Sequence, residues 1–259
     1  MEVFDDIRDG FVDTCDKLRS TAHGYQYVAD NIVLDAVDRQ EGERAEIESA
    51  IAGFEEFWEK QFSGWRSSME DYLENLNMPL ELFHAYLVQA WYGFLDNVFE
   101  RMLEEHFAGR AVYEMASIPV QFKPSDDTPN SLADNILTRA AEHFANRTTP
   151  DEKLRLLVKA RKVDLPDKLT LSIRKHVVVR NVCQHNRGTL RPRDLVRLPG
   201  DDFMYPCIEG AEQGDYYNPG QTRDYRMRVY GVGDTVTIDG MVLDQVYYDC
   251  IEAARLLTT

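Results

Sequence analysis

The chain has 259 residues, of which 44% are hydrophobic and 11% aromatic, a composition typical of a globular protein with a sizeable core. No apolar run approaches the roughly 20 residues that a membrane-spanning helix needs, and residues 1–6 are acidic where a secretory signal peptide would be basic. We therefore expect a cytoplasmic protein that has no membrane partner.

The cysteines and histidines do not form a recognisable metal motif. The four cysteines are widely spaced and include no Cys-x-x-Cys pair, which favours buried thiols over a disulfide framework or a zinc site. The sequence around His106 lacks the second ligand of a zinc motif, and neither a glycine-rich phosphate loop nor a Gly-x-Ser-x-Gly turn occurs. We expect no metal and no cofactor.

The charge of the chain is unevenly distributed. The net charge of −16 argues against a nucleic-acid partner for the chain as a whole. Residues 151–197, however, hold 13 Lys and Arg against 5 Asp and Glu, a net of +8. This basic segment is the part of the chain that is electrostatically suited to a polyanion.

The N-terminal third has the periodicity of amphipathic helices. Apolar residues three or four positions apart occur over residues 1–19, 25–37 and 42–76. The last of these segments predicts either a helical hairpin or one long helix, with its acidic residues on a solvated face. Pro79 interrupts the pattern and suits the first turn of a new helix that ends near Gly109.

The predicted interruption divides the chain into two parts. We expect residues 1–77 to form a helical N-terminal extension and residues 78–259 to form the main helical domain. The alternative is that both parts pack as one unit. Residues 118–130 contain three prolines and several polar residues, which predicts an exposed connection.

The second half begins with three predicted helices, at residues 131–146, 150–165 and 167–187. Thr149 is the expected N-cap of the second, because Pro150 and two acidic residues follow it.

After Gly188, residues 199–224 show no helical or strand period and predict a long ordered loop. Residues 225–230 and 234–238 alternate across two glycines, which predicts a β-hairpin. Asp239 is then the expected cap of a closing helix with an apolar stripe: Val242, Val246, Cys250, Ala253 and Leu257.

Arg180, Asn181 and His185 are concentrated in an otherwise apolar helical segment. At about 100° per residue, Asn181 and His185 lie one turn apart on the same side of the helix, and Arg180 lies about 140° from His185. Gly188 supplies a helix end. His185 therefore falls in the last turn, where the helix dipole favours the imidazolium form.

These residue types suit RNA cleavage without a metal. Histidine can take the proton of a 2′-hydroxyl or give one to the departing 5′-oxygen near neutral pH. The guanidinium of Arg180 can hold the charged phosphorane, and Asn181 can orient the imidazole or donate to phosphate. The alternative is that His185 caps its own helix and Arg180 pairs with an acidic residue of the N-terminal region.

Other polar residues near this motif are predicted to contact RNA: Arg174, Lys175, Gln184, Asn186, Arg187 and Arg191. Arg193 and Arg197 continue the basic fringe. The alternative is that the cations form salt bridges within an acid-rich chain and that Gln184 and Asn186 are ordinary helix-end residues. His176, one turn before Arg180, fits packing or support of the site better than direct catalysis.

The string Arg180-Asn-Val-Cys-Gln-His185 resembles the R-x4-6-H signature of HEPN domains, all-α ribonucleases of toxin–antitoxin, CRISPR and other defence systems. The following His-Asn-x-Gly, the Val-Gly-Asp-x-Val-x-Ile element at residues 232–238 and the closing helix are also similar to stand-alone prokaryotic HEPN proteins. The similarity covers residues 150–259 and extends back to about Pro79 as bundle helices. Some HEPN toxins carry a modified tyrosine two residues after the histidine; Arg187 stands there in this chain, so the resemblance does not imply that form of control.

The resemblance implies an all-α, HEPN-type helical bundle with a helical N-terminal extension and one small β-hairpin. It further implies a metal-independent endoribonuclease that acts on RNA as a homodimer, in defence or toxin–antitoxin biology, with an antitoxin or regulatory partner. The chemistry favours the dimer as well, because acid and base require two groups and one chain offers one histidine of this kind. The alternative function is a non-catalytic helical module that binds RNA or a protein.

Overall fold

Helix dominates the part of the chain that the computed structural model describes, which comprises residues 2–50, 54–114, 129–195, 203–207 and 226–259. The all-α class expected from the sequence is therefore confirmed. Within these ranges, none of the helices combines the length and the apolar character that crossing a membrane would require.

A short 3₁₀ turn at Glu2–Phe4 precedes the first α-helix. The helices are α1 (Asp5–Ala50), α2 (Phe54–Phe107), α3 (Pro129–Arg147), α4 (Pro150–Arg161), α5 (Asp167–Asn186), α6 (Pro192–Leu195) and α7 (Gly240–Thr258). Two strands, β1 (Phe203–Cys207) and β2 (Arg226–Tyr230), form an antiparallel pair.

The N-terminal helices are longer than the sequence pattern predicted. Helix α1 is continuous for 46 residues, and α2 runs for 54 residues through Pro79, so the predicted break at this proline is wrong. A proline inside a helix costs about 3 kcal/mol, because it removes one hydrogen bond and crowds the preceding turn. Leu80, Leu87 and Val88 follow it and are buried, and this packing offsets the local cost. The domain division at residues 77 and 78 stays a prediction.

The predicted start of α4 is confirmed. The hydroxyl of Thr149 accepts the N–H of Glu152 at 3.4 Å, and the Glu152 carboxylate accepts the N–H of Thr149 at 3.0 Å. This reciprocal pair is a capping box. Helix α4 ends earlier than predicted because Lys162 adopts a left-handed conformation, with φ 56°.

The predicted exposed connection at residues 118–130 lies almost wholly outside the described residues, and its last two positions already belong to α3.

The predicted hairpin between residues 225–230 and 234–238 is wrong. Strand β2 pairs with β1, with Phe203 opposite Tyr230 and Cys207 opposite Arg226. Part of the predicted loop at 199–224 is therefore a strand, and its remaining residues lie outside the described ranges. The second half of the predicted hairpin instead forms a single bridge, between Thr189 and Thr235.

The chain divides into two compact units, and α1, α2, α5 and α7 contribute residues to both. Unit 1 comprises residues 1–17, 86–180 and 245–259, and unit 2 comprises residues 18–85 and 181–244.

The core of unit 1 contains a cluster of aromatic rings. The ring of Trp91 stacks on Phe94 with centroids 5.4 Å apart, and Phe11 lies 4.7 Å from Phe94. The predicted apolar stripe of α7 has four residues in unit 1 and Val242 in unit 2. It is confirmed, because all five residues are at most 2% exposed.

In unit 2, the start of α7 is capped and paired. Asp239 accepts the N–H of Val242 at 2.8 Å, which confirms the predicted cap. Asp244 binds two residues of α1, with Arg19 Nε at 2.6 Å and His23 Nε2 at 2.9 Å from the same carboxylate oxygen.

The turn after α5 explains the requirement for glycine at position 188. Gly188 has a φ of +76°, and a Cβ added there would lie 2.9 Å from the carbonyl oxygen of Val236 and 3.1 Å from Cγ2 of Thr235. Both the left-handed backbone and the close backbone contact oppose any side chain.

We expect Gly188→Ala to lower the free energy of unfolding by about 2–3 kcal/mol, since left-handed strain and overpacking combine. Urea unfolding followed by circular dichroism measures this loss. Gly24→Ala is the matched control: Gly24 is helical with nothing within 4 Å of the added carbon, so alanine there is expected to be neutral or stabilising. Equal midpoints for Gly188→Ala and the wild type would contradict the described turn.

Candidate functional site

The last turn of α5 ends in two consecutive left-handed residues. Arg187 has a φ of 51° and Gly188 a φ of 76°, and the Gly188 N–H donates to the Val182 carbonyl at 3.3 Å. This hydrogen bond, which spans six residues, is the one that closes a helix whose last turn is followed by a left-handed residue. The predicted helix end is therefore present, with Arg187 as the first left-handed residue.

A backbone clamp holds the chain that leaves α5. The Val236 N–H donates to the Gly188 carbonyl at 3.0 Å, the Leu190 N–H donates to the Asp234 carbonyl at 2.9 Å, and the Gly233 N–H donates to the Leu190 carbonyl at 2.9 Å. The Val-Gly-Asp-x-Val-x-Ile element thus braces the end of α5 instead of forming one arm of a hairpin. The brace fixes where the last turn of α5 ends.

Asn181 and His185 occupy successive turns of α5, four residues apart on one side of the helix. His185 is exposed and Asn181 is half-buried. An exposed imidazole in the last turn of the helix meets solvent and any ligand that binds there. His185 is therefore accessible to a bound molecule.

Arg180 is half-buried and lies near Tyr92 of α2. Burial raises the pKa of Tyr92 to about 12, and the charge of the Arg180 guanidinium acts against this rise. The phenol is therefore neutral at physiological pH and is a hydrogen-bond donor near the cation. Nothing in the sequence pattern indicated Tyr92, because it stands among core aromatics at ordinary helical spacing.

The other predicted RNA-binding residues differ in exposure. Gln184, Arg187 and Arg191 are exposed, and Lys175 is half-buried. Arg174 Nε lies 3.2 Å from a carboxylate oxygen of Asp151. Arg174 is therefore already paired with an acidic residue of its own chain.

Asn186 is the least accessible of the predicted RNA-binding residues, at 8% exposed. Its amide donates to Asp194 at 3.4 Å, and the same carboxylate oxygen accepts the backbone N–H of Arg191 at 2.9 Å. Asp194 thus links the end of α5 to α6. Arg197, the last residue of the predicted basic fringe, lies outside the described residues.

The cysteine of this helix does not supply a nucleophile. Burial raises the pKa of the Cys183 thiol to about 12, and the neighbouring Glu81 carboxylate adds to the rise. A protonated thiol is a poor nucleophile and a poor metal ligand. Within the described ranges, no three His, Cys, Asp or Glu side chains converge to form a metal site.

A buried polar network precedes Arg180 in the same helix. His176 is 1% exposed, and its Nε2 lies 2.9 Å from Oδ2 of Asp249 in α7. Ser172 donates to the same carboxylate oxygen, and Gln245 donates to the other at 2.9 Å. Sequence reasoning considered His176 but missed Asp249. One feature of the sequence could have indicated this network: Ser172, His176 and Arg180 recur at every fourth position of the helix.

Comparisons with family models, with curated proteins and with solved structures gave no match for this chain.

Proposed function

We propose that this protein is a metal-independent endoribonuclease of the HEPN type. The observation that carries the proposal is that Arg180, Asn181 and an exposed His185 share the last two turns of one helix, α5, within the basic segment. The R-x4-H spacing, the glycine helix end and the all-α class agree with the family resemblance. Defence or toxin biology, with an antitoxin or regulatory partner, belongs to the same proposal.

In the proposed reaction, the 2′-hydroxyl of a ribose attacks the adjacent phosphate. A base removes the hydroxyl proton, and an acid protonates the 5′-oxygen as its bond to phosphorus breaks. The products are a 2′,3′-cyclic phosphate and a free 5′-hydroxyl. His185 performs proton transfer, because it is exposed and histidine is the most frequent general acid or base in enzymes.

Arg180 stabilises the charge that develops on the phosphate. A planar guanidinium can bind two phosphate oxygens at once through parallel hydrogen bonds. Asn181 precedes His185 by one turn and is half-buried, so it orients the imidazole or donates to phosphate. These roles match the electrostatic and proton-transfer demands of the reaction.

A homodimer completes the proposed site. Base and acid act on opposite sides of the phosphorus, and each chain has one exposed histidine in this motif. A two-fold axis that brings two copies of the α5 end together would provide both groups. Two copies of the basic segment would also concentrate positive charge at the groove, which an RNA strand needs because the chain as a whole is acidic.

Incubation of purified protein with a labelled RNA in EDTA tests the function. We expect cleavage that leaves 2′,3′-cyclic or 3′-phosphate ends and 5′-hydroxyl ends. Retention of RNA without cleavage would instead favour the non-catalytic binding module. Cleavage that is abolished by EDTA and restored by a divalent metal would contradict the proposed mechanism.

Mixing of active and inactive subunits tests the dimer. We expect a tenfold excess of His185→Ala, after subunit exchange, to lower the activity per wild-type chain by roughly tenfold, because most wild-type chains then pair with an inactive partner. An equal excess of an inert unrelated protein is the control. Unchanged activity per wild-type chain would mean that each chain carries a complete site.

A further inference from the structure

The carboxylate of Asp249 lies at the centre of the polar network of unit 1. One oxygen accepts hydrogen bonds from Ser172 and from Nε2 of His176, and the other accepts one from Gln245. The side chain of His176 is 2% exposed and that of Asp249 is 12% exposed. Three donors satisfy a largely buried carboxylate, as burial of such a group requires.

The network engages the face of α5 that carries Arg180. Ser172, His176 and Arg180 follow one another at four-residue intervals, so each is displaced by only about 40° around the helix axis. Ser172 and His176 are both hydrogen-bonded to the same carboxylate oxygen of Asp249 in α7. Asp249 therefore resists rotation and sliding of α5 at the turns that precede Arg180.

The surroundings of Arg180 place it in the same part of unit 1. The Tyr92 hydroxyl is influenced by Arg180 and by Cys250, the residue that follows Asp249 in α7. Cys250 is 2% exposed and so fixes this stretch of α7 in the core. Tyr92 of α2 is therefore within electrostatic range of both Arg180 of α5 and Cys250 of α7, and the Asp249 network ties α5 to α7.

We propose that Asp249 is a positioning residue for Arg180 in the proposed RNA cleavage reaction. The carboxylate acts through Ser172 and His176, which hold α5 in the rotation that directs the guanidinium to phosphate. The inference rests on the proposed function. It predicts that the catalytic effect of Asp249 is transmitted by Arg180 and disappears when the guanidinium is removed.

A double-mutant cycle tests this coupling. Asp249→Asn keeps the size of the side chain but removes its charge and leaves one acceptor oxygen in place of two, so the amide cannot accept from Ser172 and His176 at one end and from Gln245 at the other. We expect this change to lower kcat at least tenfold in the wild-type background, with KM changed less than twofold. In an Arg180→Ala background, the same change is expected to alter kcat less than twofold.

Asp96→Asn is the matched control. Asp96 binds Lys153 Nζ at 2.6 Å in the same unit, and Lys153 is 4% exposed, so this change also disrupts a buried charged contact. It leaves the residues that Asp249 contacts unaltered. We expect lower stability but a kcat within twofold of the wild type, measured where all variants are folded by circular dichroism.

Ser172→Ala covers the case in which Asp249→Asn does not fold, because it removes a single donor. It is expected to lower kcat about threefold, again only when Arg180 is present. Wild-type kcat in both variants, or an equal loss with and without Arg180, would overturn the positioning role while leaving RNA cleavage intact. Failure of the wild-type protein to cleave RNA would instead overturn the proposed function and the inference that rests on it.

Discussion

His185→Ala is expected to lower the rate of RNA cleavage by a factor of about 10² to 10⁴, because alanine cannot transfer the protons that the reaction requires. In a symmetric dimer the change removes both the base and the acid, so the upper part of this range is expected. Single-turnover cleavage with excess enzyme measures the chemical step. The loss should appear in the rate constant and far less in RNA affinity.

Because His185 is exposed, a loss of cleavage rate in His185→Ala can be distinguished from a loss of stability. An exposed side chain in the last helical turn contributes little packing, so thermal unfolding of the variant should match that of the wild type. His143→Ala, in α3, is the matched control and should cleave at the wild-type rate. A wild-type rate for His185→Ala would remove this histidine from the mechanism.

Arg180→Ala is expected to lower cleavage by about 10² to 10³, the usual cost of removing a group that stabilises charge in the transition state. Arg180→Lys should recover only part of the rate, because an ammonium keeps the charge but cannot bind two phosphate oxygens as a planar fork. Single-turnover rates of the two variants and the wild type measure both effects.

Arg155→Ala provides the control for loss of a positive charge. Arg155 belongs to the same basic segment, on α4, and is exposed. A similar loss of rate in Arg155→Ala and Arg180→Ala would mean that overall charge matters and that position 180 has no special role. Full activity of Arg180→Ala would exclude the guanidinium from the reaction.

Local signals predicted several helix boundaries of the fold. The Thr149 cap, the Asp239 cap and the start of α5 each depend on residues within one turn, and the structure contains all three helix starts. The predicted helix break at Pro79 and the predicted β-hairpin were wrong for the same reason. The buried residues after the proline, and the pairing of β2 with β1 across more than 15 residues, are non-local interactions that periodicity does not report.

In the candidate site, too, residues that are close in sequence could be predicted, whereas residues that packing brings together could not. Arg180, Asn181 and His185 could be recognised because their spacing and chemistry lie within two turns of one helix. Tyr92 and Asp249 belong to α2 and α7, far away in sequence, and only the packing of unit 1 brings them to α5. The sequence of residues 233–236 was noticed, but their backbone hydrogen bonds to Gly188 and Leu190 could not be predicted from it.

The glycine turn and the brace give the exposed histidine a defined position. Left-handed residues at 187 and 188 stop α5 immediately after its last turn, and three backbone hydrogen bonds hold the departing chain. The Asp249 network fixes the same helix further back. The network acts before the motif, in unit 1, and the brace acts after it, in unit 2, so contacts to other parts of the chain hold α5 on both sides of the candidate motif.

The most direct test of the account uses two RNAs that differ in one atom. Wild-type protein in EDTA is given a labelled RNA and the same RNA with a single 2′-deoxyribose on the 5′ side of the cleaved bond. We expect the all-ribose strand to be cut to a 2′,3′-cyclic phosphate and the deoxy-substituted bond to remain intact. Equal cleavage of both strands, or no cleavage of either by folded protein, would contradict attack by the 2′-hydroxyl at the Arg180 and His185 site.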